Sequence, residues 1–371
     1  MRIWRILAPV LLLASAAPAQ RAKPAFDPET KEGLLIEHIL QERDAGEKLR
    51  YMEEFAAQYP SHNAIAWVYD QLQPAYFEAK EYDQAIRIGS LRLAIEPDNL
   101  DAAAIALRAA DAKKDAQQII KWADRLWTIA AAAAQKPSAD ASEAKQSRDY
   151  AESCLYQAMK SADSQTQLSI LKGLEQRDPQ SRFVHSFPAE YFRIYQALGN
   201  EDQAVEMAEK GLKIDPDNMD MLLAVTRFHS RKDTPREREL VVEYSQRLIG
   251  AVEKTSRPAA MGEQEWAQKK AETLGVASYL GGMASALNKN YRQADHMLRE
   301  ALPHLKDNDS ELAALLYYLG MANYRLAESG SDRSRPVDAV RFLRRCAAIH
   351  SPYQEQASRN LEGIRAEYSL P

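Results

Sequence analysis

The sequence has very little cysteine. Its 371 residues include two, Cys154 and Cys346, which stand 192 positions apart. A small disulfide-rich scaffold is therefore excluded, and so is a zinc site built from C-x-x-C pairs. A bridge between the two cysteines is the alternative that an oxidising compartment would allow, but it needs Cα atoms within about 7 Å. We expect two separate, buried thiols.

Motifs that carry chemistry are also missing. The seven histidines are scattered, and the nearest two, His296 and His304, are eight residues apart with Pro303 between them. No H-E-x-x-H, G-x-S-x-G or phosphate-binding glycine loop occurs. Carboxylate pairs such as Asp98 and Asp101 flank predicted helix ends, where capping explains them better than catalysis. The sequence therefore predicts no enzyme, no cofactor, no metal and no small-molecule substrate.

The chain starts with a short apolar run. Arg2 and Arg5 precede an apolar core at residues 6–17, and Ala17-Pro18-Ala19 has the small-x-small pattern of a cleavage site. The core is too short to span a bilayer, which takes about 20 residues, and no cysteine follows it as a lipid anchor. We therefore predict a signal peptide at residues 1–19. The mature protein should start at Gln20, free of membrane insertion, and be exported to a periplasmic or secreted location.

The chain also lacks an excess of positive charge. Its formal net charge is −5, and it becomes −7 without Arg2 and Arg5. A mildly acidic protein has no electrostatic reason to bind nucleic acid or an anionic membrane surface. Alternation of polar and apolar residues is missing as well, so no sheet is expected.

What the chain does contain is a recurring helix–turn–helix pattern. In residues 197–218, Gly199 and Asn200 form a turn, and Ala204, Ala208 and Gly211 then follow at spacings of four and three. One face of the second helix is thus reduced to small side chains, which lets another helix approach closely.

The same pattern returns elsewhere. Ala85 and Ala204 each stand nine residues after a tyrosine and twelve before a proline. Two further copies contain Leu280-Gly281-Gly282-Met283-Ala284 with Ala294, and Tyr318-Leu319-Gly320-Met321-Ala322 with Ala339. Together these copies resemble the tetratricopeptide repeat, whose period is about 34 residues. The resemblance implies an all-α fold, an α-solenoid of helix–turn–helix repeats forming a superhelix, and a protein that binds a protein or peptide partner.

The spacing of these copies predicts how the chain is organised. After the signal peptide we expect a flexible mature N-terminus at 20–30, a capping helical hairpin at 31–60, about seven repeats, some degenerate, at 61–350, and a C-terminal capping helix at 351–371. Surplus length is expected in a polar linker that runs to about Gln146, near residues 254–265, and in an exposed turn at 328–336.

In the family that the sequence resembles, the first helix of each pair lines a concave groove. Carried over by position, this implies groove residues Trp67, Asp70, Phe77, Leu287 and two candidate binding patches. The tyrosine–methionine patch consists of Tyr279, Met283, Tyr317, Met321 and Tyr324, which should keep exposed area. The arginine patch consists of Arg193, Arg227 and Arg231. The alternative is that half of these residues belong to the core between repeats.

Two functions remain open from the sequence. The first is an exported scaffold or adaptor that holds a peptide or partner protein in the concave groove. The alternative is an accessory subunit of an envelope enzyme or of outer-membrane or polysaccharide assembly machinery. The arginine patch lacks the lysine and asparagine set with which one subclass of these repeats holds acidic C-termini, so the resemblance does not assign it that role.

Overall fold

The computed structural model describes residues 24–135, 141–179, 181, 183–305, 309–330 and 332–371. The predicted signal peptide at 1–19 lies outside these residues. Helices hold 78% of the described residues, and no strand occurs among them. The predicted all-α fold is confirmed.

The chain divides into two compact units, the first ending at Asp178 and the second starting at Pro179. The sequence does not predict this division. In the first unit the described helices form successive antiparallel hairpins, each packed on the next: α1 (Lys31–Gln41), α2 (Ala45–Gln58), α3 (Ile65–Glu78), α4 (Tyr82–Ile95), α5 (Leu100–Lys113), α6 (Ala116–Ala133), α7 (Ala141–Met159) and α8 (Ser164–Arg177). The hairpin of α1 and α2 occupies the segment predicted as the N-terminal cap.

The second unit continues with the same kind of hairpin and adds two single 3-10 turns, Val184–Ser186 and Leu302–His304. Its described helices are α9 (Phe187–Ala197), α10 (Glu201–Gly211), α11 (Met219–Ser230), α12 (Pro235–Lys254), α13 (Glu263–Leu287), α14 (Tyr291–Ala301), α15 (Asp309–Glu328), α16 (Ser334–Ala347) and α17 (Gln354–Glu367). Between residues 61 and 350 the described helices make seven hairpins, α3/α4 to α15/α16.

Small residues explain why consecutive helices pack so closely. Ala85, Ala204, Ala294 and Ala339, which the repeat pattern aligns, are all buried. A Cβ added at Gly320 of α15 would lie 2.7 Å from Leu343 Cγ of α16, which is closer than real Cβ atoms come to a neighbour. The repeat therefore depends on these positions being alanine or glycine.

Local signals set the helix boundaries. Gly199 adopts a φ of +72° between α9 and α10, a conformation that glycine adopts without steric strain because it has no Cβ. Thr234 is the N-cap of α12, Pro235 is its first residue, and the Thr234 side chain accepts a hydrogen bond from the Glu237 amide at 3.2 Å. This boundary was predicted from the same residues.

The interruptions differ in part from the prediction. The linker does not extend to Gln146, because α7 begins at Ala141 within an Ala-Ser-Glu-Ala-Lys segment of good helix formers. The extra residues predicted near 254–265 form a loop at 255–262 and also lengthen the two flanking helices, α12 and α13. The predicted turn at 328–336 is limited to the residues between α15 and α16.

Both cysteines are free and buried, as the sequence predicts. The Cys346 thiol donates to the Ala313 carbonyl at 3.2 Å, so it occupies a small-residue position between α15 and α16. Each described helix is too short or too polar to cross a membrane.

Candidate functional site

The tyrosine–methionine patch is covered by the chain itself. Tyr317 is buried, with 8% of its surface exposed, so the expectation of exposed area is wrong for this residue. Its ring packs on Tyr353 with centroids 5.2 Å apart, and its hydroxyl accepts a hydrogen bond from Asn360 of α17 at 3.4 Å. The predicted C-terminal cap therefore lies on the surface that we expected a partner to use.

The rest of this patch is half-buried. Asn360 also lies 3.1 Å from the Met321 sulfur, and Tyr324 donates a hydrogen bond to Glu367 of α17 at 3.0 Å. Tyr279 and Met283 of α13 pack against the buried core that α14, α15, α16 and α17 form. Burial raises the pKa of Tyr279 to about 12. These contacts support the core interpretation for this patch over an open groove.

Of the other groove positions predicted from the sequence, those in the first unit are also structural. Trp67 and Phe77 pack against the core of α1–α4. Asp70 accepts from Arg92 at 2.5 Å, and Arg92 has no exposed surface. Asp70 is therefore needed to neutralise a buried guanidinium, because a buried charge without a partner is costly.

The arginine patch, by contrast, forms one open groove. Arg193 of α9 and Arg227 and Arg231 around the end of α11 are exposed, and all three line a cavity of about 710 Å³ in the second unit. The structure thus brings together three residues that the sequence places up to 38 positions apart. We call this cavity the arginine groove. Its remaining lining residues come from α9, α10, α11 and the turns between them: Ala189, Phe192, Gln196, Gly199, Glu201, Ala204, Val205, Asn218, Asp220, Met221, Leu223 and Ala224.

The apolar part of the groove follows from how α9, α10 and α11 are anchored. Phe192 is buried on α9, and Ala204 and Val205 are buried on α10. On α11, the Asn218 side chain caps the helix by accepting from the Met221 amide at 3.2 Å. The three arginines therefore lie on α9 and at the end of α11, beside buried apolar side chains of α9 and α10.

Charge in the groove is only partly neutralised. Arg231 donates to both carboxylate oxygens of Glu201 at 2.7 Å, and Arg193 pairs with Glu190. The groove carboxylate of Asp220 is paired with Lys269 of α13 at 3.0 Å. Among the described residues Arg227 forms no ion pair, so its guanidinium is free to bind an anion.

Sequence reasoning missed most of the groove lining. Leu223 and Ala224 stand four and three residues before Arg227, and Ala189 stands four before Arg193. Helical spacing from the predicted arginines would have found these neighbours. The ion pair between Arg231 and Glu201 cannot be predicted from helical spacing, because the two residues are 30 positions apart in the sequence.

The described residues contain no cluster of three or more histidine, cysteine, aspartate or glutamate side chains that could hold a metal ion. The arginine groove presents one unpaired and two paired guanidinium groups beside buried apolar side chains, and guanidinium groups can bind an anion by charge-assisted hydrogen bonds.

No family model and no curated protein matches the sequence. Among solved structures, the chain aligns with a tetratricopeptide repeat protein from Parabacteroides merdae at 10% identity and a TM-score of 0.27, covering 78% of this chain and 98% of that chain. It also aligns with the C-terminal part of a tetratricopeptide repeat-containing protein from Cytophaga hutchinsonii at 13% identity and a TM-score of 0.30, covering 75% of this chain and 96% of that chain. The alignment with yeast Tom70 has 9% identity and a TM-score of 0.28, and it covers 92% of this chain and 90% of that chain. Because these identities and TM-scores are low, we describe the fold from the helix order and the small-residue packing of this chain itself.

Proposed function

We propose that this protein is a non-catalytic binding scaffold whose arginine groove holds an extended, acidic segment of a partner protein. The observation that carries the proposal is the convergence of Arg193, Arg227 and Arg231 on one cavity with an apolar floor. An extended peptide can place apolar side chains on that floor while its carboxylates reach the arginines. The tetratricopeptide resemblance of the sequence supports the same use of the first helix of each pair.

Charge complementarity decides the partner's chemistry. Arg227 is the groove cation without an ion pair among the described residues, and a carboxylate placed there gains a charge-assisted hydrogen bond. The two groove carboxylates, Glu201 and Asp220, already have cationic partners. They therefore repel an incoming acid less than free carboxylates would. Association entropy consumes much of the binding energy, so we expect a Kd on the order of 10 μM.

The experiment compares binding of two fluorescent peptides of equal length by anisotropy. One alternates leucine or alanine with glutamate, and the other has glutamine in place of every glutamate. We expect the acidic peptide to bind and the glutamine peptide to bind at least tenfold more weakly. Binding should weaken with added salt, as an exposed charge contact does.

Arg227→Ala should weaken binding of the acidic peptide about tenfold, the loss expected for one charge-assisted hydrogen bond. The matched control is Arg236→Ala, because Arg236 is exposed on α12 of the same unit and does not line the groove. Equal binding of both peptides, or an equal loss in both variants, would contradict the proposal.

We also propose that the mature protein is exported and starts at Gln20. The support is the arrangement of Arg2, Arg5, the apolar residues 6–17 and Ala17-Pro18-Ala19 in the sequence. An exported binding scaffold would meet its partner in the cell envelope or outside the cell.

A further inference from the structure

Glu201 is a carboxylate of the arginine groove that pairs with an arginine of the same groove. The Nη1 atom of Arg231 donates to both carboxylate oxygens of Glu201, each at 2.7 Å. The two side chains keep 62% and 51% of their surface exposed. This ion pair therefore lies open to solvent in the cavity that a partner would enter, rather than in the core.

The ends of two neighbouring helices bring this pair together. Glu201 is the first residue of α10, and Arg231 is the C-cap of α11. A helix favours an anion at its N-terminus and a cation at its C-terminus, so each charge suits its own position. An exposed ion pair contributes little free energy because water solvates both charges. A carboxylate from outside can therefore take the place of Glu201.

The spacing of the arginines says what kind of partner can do this. Arg227 stands four residues before Arg231, whose φ of −84° and ψ of −8° continue the helical backbone. The two positions therefore share one helix face and are about 6 Å apart along the axis. In an extended peptide, residues i and i+2 point to the same side and are about 6.7 Å apart. Two glutamates separated by one residue thus match Arg227 and Arg231.

We propose that Glu201 is an internal competitor for Arg231, so that the groove selects an extended partner segment with two carboxylates in Glu-x-Glu spacing. One carboxylate binds Arg227, which forms no ion pair among the described residues. The second carboxylate displaces Glu201 from Arg231. Because this step replaces one ion pair by another, the second carboxylate adds less affinity than it would at a free arginine. This inference rests on the function proposed above for the arginine groove.

The test measures the affinity of three fluorescent peptides for the full mature chain by anisotropy. The peptides share one length and one apolar frame. The first has two glutamates separated by one residue, the second has glutamine in place of one of them, and the third has two adjacent glutamates, which point to opposite sides of an extended chain. For the wild type we expect the first peptide to bind about threefold more tightly than the other two, the gain expected when one exposed ion pair replaces another.

Two variants then separate the roles of the pair. In Glu201→Gln, Arg231 has no charged competitor, so the advantage of the Glu-x-Glu peptide over the single-glutamate peptide should rise to about tenfold. In Arg231→Ala this advantage should disappear, because nothing remains to bind the second carboxylate. An unchanged advantage in both variants would overturn the proposal.

Asp202→Asn is the matched control. Asp202 lies next to Glu201 in the first turn of α10, is exposed and does not line the groove. The control therefore removes the same charge from the same helix end, and the ratio between the peptides should keep its wild-type value. An equal rise in Asp202→Asn and Glu201→Gln would mean that net charge alone is responsible, which also overturns the competitor. If no acidic peptide binds the wild type, the proposed function fails together with this inference. If acidic peptides bind but the second glutamate adds nothing in the wild type or in Glu201→Gln, only this inference fails.

Discussion

Asn360 of the last helix donates a hydrogen bond to the hydroxyl of Tyr317, two helices earlier, at 3.4 Å. The same amide lies 3.1 Å from the Met321 sulfur. Both acceptors belong to the tyrosine–methionine patch that the sequence suggests as a binding surface. Because α17 covers them, a partner would have to displace part of the chain to reach this patch. The arginine groove requires no such displacement, and this difference favours it as the binding surface.

Truncating Tyr317 should therefore destabilise the protein. We expect Tyr317→Ala to lower the free energy of unfolding by about 2–4 kcal/mol, since a buried aromatic ring leaves a cavity. Tyr324→Phe, which removes the hydroxyl and its contacts to Glu367 and Glu328 at a half-exposed position, should cost less than about 1 kcal/mol. Urea unfolding of both variants measures the difference. A neutral Tyr317→Ala would restore this patch as an open surface.

Enlarging a small residue of the repeat should also destabilise it. Ala204 is buried where α10 packs against its neighbours, so Ala204→Leu should lose about 1–3 kcal/mol through overpacking. Ala197, an exposed alanine at the end of α9, is the control position. Ala197→Leu should be nearly neutral in thermal unfolding, and a similar loss in both variants would mean that the small size of Ala204 is not required.

Stability at low pH should depend on Asp295. Burial alone would raise its pKa, but hydrogen bonds from Arg335, Asn323 and Arg299 outweigh burial and hold the pKa below its ordinary value. The unfolded chain therefore takes up this proton first as the pH falls, near pH 3.9. The contribution of Asp295 is present above that pH and is lost progressively below it.

Asp295→Asn tests this dependence. We expect a loss of about 2–3 kcal/mol at pH 7, because two arginines lose a buried partner, and a smaller loss at pH 3. Urea midpoints at the two pH values measure it. Asp202→Asn, at an exposed position on α10, is the control and should follow the wild type. An equal loss from Asp295→Asn at both pH values would show that its ionised form is not what stabilises the fold.

Both thiols should be inert in the folded protein. Burial raises the pKa of Cys154 to about 12 and that of Cys346 to about 11, so the reactive thiolate is scarce at pH 8. We expect Ellman's reagent to label neither cysteine until urea unfolds the chain, and then to label both. Rapid labelling of one thiol without urea would mean that its helix opens readily.

Export can be tested by mass. The intact mass of the protein recovered from outside the cytoplasm should correspond to a chain that starts at Gln20. Replacing Ala17 and Ala19 by bulky residues should block cleavage, since the small-x-small pattern is what a signal peptidase accepts. Recovery of an exported protein that retains residues 1–19 would contradict this prediction.

Local features of the fold could be predicted from the sequence because they depend on neighbouring residues. The Thr234-Pro235 start of α12, the turn at Gly199 and the buried alanines of the repeats follow from capping, backbone freedom and helical spacing. The repeat length predicts about seven repeats at 61–350, but it does not set their exact number within residues 100–180 and 219–275. The predicted linker before α7 is longer than the observed one, because a polar segment with good helix propensity can form either a loop or a helix.

The site itself was decided by the tertiary structure. The sequence identified Arg193, Arg227 and Arg231 as groove candidates, but it also proposed Tyr317, which α17 buries. Pairs such as Arg231 with Glu201, or His229 with Glu209, join residues 20 to 30 positions apart on different helices. Whether such side chains meet depends on the rotation and crossing of packed helices, and this is set by the whole core. Helices, turns and small-residue contacts could therefore be predicted because they depend on residues close in the chain, whereas the exposure of the three arginines in one groove depends on how the helices pack.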